Sequence, residues 1–433
     1  MTLPAEMTFG GARSLRGRLR VPGDKSISHR ALLFAGLAHG KSAITHLADG
    51  DDVHRTRLAL EHLGVGVRTS RDGAVHVQGT GIDGWREPER VLDCGNSGTS
   101  TRVLAGALAG RPFLSVLTGD ASLAQRPMAR VVEPLRAMGA TIDGRGDGRY
   151  APLTIRGGAL RGITHELAVA SAQVKSALVL AGLQAVGDTE IVEPVPSRDH
   201  TERMLATLGA PVERVEPHTV RVRAGAPSAF ELDVPGDPSS AAFFVVSACI
   251  TPGSSIVLEG VSLNPTRIGF LEVLRRMGAR ITLTETAVAV GEPVGDIAVE
   301  ASELQGTEIA GAEIPNVIDE IPALAIAAAF ADGVTEIRDA AELLVKESDR
   351  IGTIEQELTQ LGIGVEPRAD GLTIRGGRAR AGTLKSHGDH RIAMSAAIAL
   401  HALDAESTVR GWKAVASSYP GFADDLRALT DAQ

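Results

Sequence analysis

The sequence predicts an α/β chain of two domains, each made of three repeated βαβαββ-like units whose buried helices are surrounded by small sheets, in the manner of an inside-out α/β barrel. Three observations lead there. A polar, turn-rich segment followed by an apolar helix restarts six times, at Gly23, Gly95, Ser171, Gly236, Asn316 and Gly388, 65 to 80 residues apart. Each of these helices is apolar nearly all round, and such a helix has to be buried on every side. After each comes a short strand, an amphipathic helix ended by glycine and a further strand. A linear stack of repeats buries only the faces between neighbours. Three apolar helices inside three small sheets close one domain, so six make two.

The first alternating strand spans 15–21, with Leu15, Gly17, Leu19 and Val21 on one face and Arg16, Arg18 and Arg20 on the other. Pro22-Gly23-Asp24 is a turn, and Lys25 and Ser26 open the first apolar helix (Ala31, Leu32, Leu33, Phe34, Leu37). Residues 42–47 form a strand, 53–63 an amphipathic helix stopped by Gly64, and 74–78 a strand. The second unit restarts at CGNSGTSTR (94–102), with a strand at 113–118, a helix face of Val131, Leu135 and Met138 stopped by Gly139, and a strand at 153–156. The third restarts at VASAQVKSALVLAG (169–182), with a strand at 189–192 and a helix at 201–208 before Gly209. The fourth restarts at PGDPSSAAFFVVSA (235–248). Its amphipathic helix shows Phe270, Val273, Leu274 and Met277 at helical spacing before Gly278. The fifth restarts at IPNVIDEIPALAIAAAF (314–330), followed by the face Ile354, Leu358 and Leu361 and the stop Gly362. The sixth, HGDHRIAMSAAIAL (387–400), lacks a final strand, because a last helix near 422–429 ends the chain. The strand at 15–21 is expected to supply it. That places residues 1–21 with 236–433 in a C-terminal domain, against an N-terminal domain of 22–235. The hinge lies near 21–23 and 235–236, where Pro22-Gly23 and Pro235-Gly236 punctuate the chain.

With 43% apolar residues in 433 the chain can bury sizeable cores, and with 3% aromatics it builds them from Ala, Val, Leu and Ile. The net charge of −9 without a Lys/Arg block argues against nucleic acid as a partner. Anionic ligands must then be met by local positive charge. Cys94 and Cys249 give neither a disulfide framework nor zinc spacing, which fits a reducing compartment. The N-terminus shows no apolar secretory core, and no run is long enough for a membrane span, so a cytoplasmic protein is expected.

A helix N-terminus carries unpaired N–H groups and partial positive charge, and favours oxyanions. Polar residues cluster at these ends: Lys25, Ser26, Arg30, Asn96, Thr99, Ser171, Gln173, Asp319 and Arg391. If the buried helices of both domains aim their N-termini into one cleft, that cleft binds polyanions. Arg126, the SRDHTE segment (197–202) and Lys346, Glu347 and Arg350 of VKESDR add charge between restarts. SRDHTE also reads as a helix cap, and Asp389–Arg391 as a structural ion pair. A metal site from Asp199, His200, Asp389 and His390 is disfavoured, because the 12 histidines form no ligand motif and the neighbouring Lys and Arg would repel a cation.

Taken together, GDKSISHR, GNSGTSTR, RPM, SAQVKSA, SRDHTE, IDEIP, VKESDRI and DHRIAMS closely resemble the 5-enolpyruvylshikimate-3-phosphate synthase family, from residue 15 to 422. The resemblance implies two domains of three repeats. It implies transfer of the enolpyruvyl group of phosphoenolpyruvate to the 5-hydroxyl of shikimate 3-phosphate with release of phosphate, a step of aromatic amino-acid biosynthesis. It further implies that Lys25, Ser26, Arg30, Ser171, Gln173, Arg198, Asp319 and Lys346 hold shikimate 3-phosphate. Lys25, Gly98, Arg126, Gln173, Arg350 and Arg391 would hold phosphoenolpyruvate. Asp319 would handle the 5-hydroxyl proton, Glu347 would protonate C3, and Lys25 would balance charge. No metal or organic cofactor is implied, since phosphoenolpyruvate carries its own leaving group, and a monomer is expected.

SAQVKSA and SRDHTE resemble the second of the family's two sequence classes. Some members of that class have Ala where this chain has Gly98, and glycine leaves room near phosphoenolpyruvate, so inhibition by glyphosate is expected. Some members carry a lysine where this chain has Ser417. Two alternatives differ in function: the sister transferase acting on UDP-N-acetylglucosamine, which typically opens with Gly-x-Lys-Asn and often uses a loop cysteine, and a non-catalytic polyanion-binding repeat protein.

Overall fold

The computed structural model describes residues 3–431. They divide into two compact units: an N-terminal unit of Gly23–Val234 with Val288–Glu292, and a C-terminal unit of 3–22, Pro235–Ala287 and 293–431. Buried helices framed by small sheets make up both.

The N-terminal unit contains helices α1 (Lys25–Leu37), α2 (Asp51–His62), α3 (Gly98–Leu108), α4 (Ala129–Met138), α5 (Ala172–Gly182) and α6 (His200–Thr207). Helices α1, α3 and α5 are the apolar ones, and each is buried along nearly its whole length. Small residues let them approach closely: a β-carbon on Gly106 of α3 would lie 2.1 Å from the Ala177 carbonyl oxygen of α5. Three four-stranded sheets surround them. Their strand orders are Glu231–Asp233, His39–Thr45, Val75–Thr80, Gly66–Thr69; then Leu92–Asp93, Leu114–Thr118, Tyr150–Arg156, Thr141–Arg145; then Thr164–Glu166, Thr189–Val192, Thr219–Val222, Val212–Glu216. In each the first pair is parallel, its strands joined through α3 in the second sheet and α5 in the third, and the rest are antiparallel.

The C-terminal unit contains α7 (Pro238–Ile250), α8 (Gly269–Arg276), α9 (Ile314–Val317), α10 (Ile321–Phe330), α11 (Arg350–Gln360), α12 (His390–His401) and α13 (Phe422–Asp431). Here α7, α10 and α12 are the buried helices, and they pack on one another. The amphipathic helices of both units stop where the sequence predicts, because Gly64, Gly139, Gly209, Gly278 and Gly362 all have φ between 78° and 115°. That left-handed conformation closes a helix and favours glycine.

One expectation needs correction. The strand at Arg16–Leu19 does not complete the sixth repeat. It pairs in parallel with Ser255–Ser262 of the fourth, in register from Arg16 with Ser255 to Leu19 with Leu258. The sixth repeat is completed by Glu6–Phe9, antiparallel to Ser407–Arg410. The reason is topological: each sheet needs a leading strand parallel to the strand after its buried helix, and Arg16–Leu19 fills that place in the fourth repeat, as Glu231–Asp233 does in the first. In the fifth restart a short helix precedes the buried one. The chain turns at Ile318-Asp319-Glu320, between α9 and α10, with Pro322 in the first turn of α10.

Candidate active site

In the N-terminal unit the charged and polar groups gather at the first turns of the buried helices. Asp24 caps α1 by accepting from Ile27 N at 2.8 Å, which sets Lys25 and Ser26 at its start. Lys25 Nζ lies 3.1 Å from Asp52 Oδ2, a partner supplied by α2. Arg30 is buried. It donates Nε to Thr201 Oγ1 at 2.7 Å, Nη1 to the Ser26 carbonyl at 2.9 Å and Nη2 to Ser176 Oγ at 2.6 Å. Burial pushes its pKa down to about 10, against the pull of Glu202 and Asp24, so it stays charged at neutral pH. His29 beside it is wholly buried. Burial first, then Lys25 and Arg30, hold its pKa well below the ordinary value, and the neutral ring bonds Thr56 Oγ1 at 2.7 Å.

Ser97 caps α3, and Gly98 is its first residue. A β-carbon on Gly98 would meet Arg102 Nη1 at 3.0 Å and Arg126 Nη1 at 3.4 Å, so two guanidinium groups border that helix end. Arg126 Nη2 bonds Asn96 Oδ1. Gln173, in the first turn of α5, is clamped: Oε1 accepts from Arg102, and Nε2 donates to Thr99 Oγ1 at 2.9 Å. Ser171 caps α5. Arg198 is half-buried, in the segment joining Thr189–Val192 to α6.

The C-terminal unit assembles a second group. Asp319 sits at the break before α10 and faces three cations: Lys346 Nζ at 3.4 Å, Arg350 Nη1 at 3.6 Å and Arg391 Nη2 at 3.8 Å. Arg391 also donates Nη1 to the Asp319 carbonyl at 2.8 Å. Glu347 Oε2 accepts from Arg350 Nη2 at 2.7 Å. Arg350 is buried and also donates Nε to Asp389 Oδ2 at 2.8 Å. Burial works against its charge, but Asp389, Glu347 and Asp319 outweigh it and hold its pKa above the ordinary guanidinium value. Below Asp319, Glu320 accepts from Ser239 Oγ, with Arg391 Nη1 at 3.6 Å, and Arg267 Nη2 bridges Asp237 and Ser239 at 3.0 Å each.

Within the C-terminal unit the structure thus brings together Asp319, Lys346, Glu347, Arg350 and Arg391. Within the N-terminal unit it connects Ser26 to Arg30, and Gly98 and Gln173 to Arg102, with Arg126 at the same helix end. Sequence reading missed Arg102 and Asp52 as partners, and it paired Asp389 with Arg391, where the Asp389 carboxylate accepts from the Arg391 backbone N and forms its ion pair with Arg350. Arg102 alone carried a signal, lying one turn beyond Gly98 on the same helix face. The Ser417 hydroxyl bonds the Ala414 carbonyl within its own turn. Asp199 pairs with Arg203 at 2.8 Å and Asp389 with Arg350, so both carboxylates already face cations. Among the described residues no group of three His, Cys, Asp or Glu could hold a metal ion.

The model of the EPSP synthase (3-phosphoshikimate 1-carboxyvinyltransferase) family matches residues 10–426. A Chloroflexus aurantiacus protein named 3-phosphoshikimate 1-carboxyvinyltransferase is 52% identical over 432 residues, covering 98% of this chain and 99% of that protein. One of the same name from Desulforamulus reducens is 48% identical over 427 residues, 98% of this chain and 99% of the relative. Among solved structures, EPSP synthase from Acinetobacter baumannii superposes with a TM-score of 0.87 at 42% identity, over 98% of each chain. The enolpyruvyl transferase NikO from Streptomyces tendae shares the fold, with a TM-score of 0.78 at 19% identity over 98% of this chain and 96% of NikO. This chain belongs to the EPSP synthase family.

Proposed function

We infer that the two groups of residues carry out the family's reaction, transfer of the enolpyruvyl group of phosphoenolpyruvate to the 5-hydroxyl of shikimate 3-phosphate in the shikimate pathway. The 5-hydroxyl oxygen attacks C2 of the enol as C3 takes a proton, giving a tetrahedral intermediate. C3 then gives up a proton as the C2–O bond to phosphate breaks and inorganic phosphate leaves.

The observation that carries this reading is the setting of Asp319: one carboxylate ringed by Lys346, Arg350 and Arg391, with Glu347 paired to the same Arg350. Two substrates that each carry phosphate and carboxylate repel one another, and forks of Arg and Lys offset that repulsion. Asp319 takes the 5-hydroxyl proton, and Glu347 delivers a proton to C3. Glu347 neutralises Arg350 in this structure, so an anion taking its place on Arg350 would free the carboxyl group for proton transfer. Lys25 balances charge on the hydroxyl and the departing phosphate. Lys25, Ser26, Arg30, Ser171, Gln173, Arg198, Asp319 and Lys346 hold shikimate 3-phosphate. Lys25, Gly98, Arg126, Gln173, Arg350 and Arg391 hold phosphoenolpyruvate, and the guanidinium groups at the Gly98 helix end support that assignment.

We also read each unit of three repeats as a domain, and the chain as a cytoplasmic monomer without nucleic-acid or membrane partners. The net charge of −9 supports the former exclusion. For the latter, among the described residues no helix is long and apolar enough to cross a membrane. The test is Glu347→Gln. An enzyme using Glu347 keeps substrate affinity and loses roughly 10²–10⁴-fold in turnover. A wild-type protein that binds both ligands without any turnover would leave only a polyanion-binding repeat protein.

A further inference from the structure

Lys175 has no part in the reaction just described, yet it is wholly buried one turn into α5, the helix whose first turn carries Gln173 and whose cap is Ser171. Its ammonium reaches Glu193 Oε2 at 2.7 Å, Glu202 Oε1 at 2.7 Å and the Ser197 carbonyl at 3.4 Å. The second oxygen of Glu193 accepts from Ser197 N at 3.2 Å and from the Ser197 hydroxyl. Residues 197–202 are therefore tied at both ends to one lysine, Ser197 through Glu193 and Glu202 directly, and Arg198 lies between the ties. Arg214 Nη2, 3.5 Å from Glu202, supplies the second positive charge that two carboxylates need. Burying three charges where an apolar side chain could pack does little for stability. What the arrangement does supply is a fixed geometry between α5 and the segment bearing Arg198.

We propose that Lys175, acting through Glu193 and Glu202, is a positioning residue for shikimate 3-phosphate, holding Arg198 in register with the Ser171 end of α5. The inference rests on the assignment of Arg198 and Ser171 to that substrate. The phosphoenolpyruvate contacts are held otherwise: Arg126 by Asn96, and Gln173 by Thr99 and Arg102. Loosening the tie therefore acts on one substrate selectively.

The test uses Glu193→Gln and Ser197→Ala in the full chain, with Arg198→Ala as reference, and measures KM for each substrate, kcat and the thermal midpoint. Ser197→Ala removes one hydroxyl and keeps the test alive if Glu193→Gln fails to fold. Either variant is expected to raise KM for shikimate 3-phosphate roughly 10- to 100-fold through misplacement of Arg198. KM for phosphoenolpyruvate and kcat should stay within about threefold. In the Arg198→Ala background the same changes should add no more than about threefold, since they act through the missing side chain. If Arg198→Ala raises that KM while Glu193→Gln and Ser197→Ala only lower the thermal midpoint, the positioning role is overturned and the site assignment stands. If Arg198→Ala leaves that KM unchanged, the site assignment fails and the positioning role falls with it.

Discussion

Arg350 donates Nε to Asp389 at 2.8 Å with both side chains buried, and Asp389 in turn caps α12 by accepting from Arg391 N at 2.8 Å. One carboxylate thus holds the side chain of Arg350 and the backbone of Arg391, two arginines assigned to phosphoenolpyruvate. Removing it with Asp389→Ala leaves the buried guanidinium of Arg350 with Glu347 and Asp319 alone and should destabilise the fold by about 1–3 kcal/mol, read by denaturant titration. Burial works to raise the Asp389 pKa, but Arg350 outweighs it and holds the carboxyl below its ordinary value. The stability this pair contributes is present above the unfolded carboxyl pKa of about 3.9 and is lost as pH falls through the lower folded value. Asp389→Asn should flatten the acid limb of the stability profile in that window.

Glu347 and Asp319 face the two terminal nitrogens of one guanidinium, that of Arg350. Asp319→Asn and Glu347→Gln should each cut kcat by roughly 10²–10⁴-fold, since each removes a carboxylate that the proposed reaction assigns to proton transfer. The double variant should lose less than the product of the two, since both carboxylates act on one cation and one reaction. Full additivity would indicate that they act independently.

Gly98 borders Arg102 and Arg126 so closely that a methyl group there must displace a guanidinium by a few tenths of an ångström. Glyphosate carries a phosphonate and a carboxylate, and wild-type protein should be inhibited by it with phosphoenolpyruvate near its KM. Gly98→Ala should weaken that inhibition by about tenfold or more, the scale on which one added carbon discriminates between ligands. Full wild-type activity at millimolar glyphosate would contradict this account of the helix end.

His29 is buried and neutral, bonded to Thr56, which bonds Ser100 of α3 at 2.7 Å. Its folded pKa lies below the unfolded value of about 6.5, chiefly through burial. The unfolded chain therefore takes up a proton that the folded one refuses. Stability is whole above about pH 6.5 and falls as the solution is acidified, by up to about 1.4 kcal/mol per pH unit. His29→Asn should remove that share of the slope; an unchanged slope in urea titrations at pH 5 and 7 would show that His29 protonates without unfolding.

The buried helices and their glycine stops were legible because a helix apolar on all sides has one fate, and because Gly64, Gly139, Gly209, Gly278 and Gly362 adopt the conformation that ends a helix. The short α9 ahead of the turn at Asp319 was not legible. Residues 314–330 read as a polar restart opening an apolar helix, and four residues, Ile314–Val317, are too few to show a helical period of their own. The pairing of Arg16–Leu19 with Ser255–Ser262 was hidden for a different reason: alternation marks a strand but does not name its neighbour. Lys25, Arg126 and Arg350 could be picked out as charges at helix starts or loop ends. Their partners Asp52, Asn96 and Asp389 lie 27, 30 and 39 residues away, and only the folded chain brings them together.

Phosphate release from phosphoenolpyruvate by the purified protein, measured with and without shikimate 3-phosphate, tests the central claim most directly. Release that depends on shikimate 3-phosphate and needs no added nucleotide is the predicted result. Release with UDP-N-acetylglucosamine instead, or with neither acceptor, would contradict the assignment of Asp319 and Glu347 to this transfer.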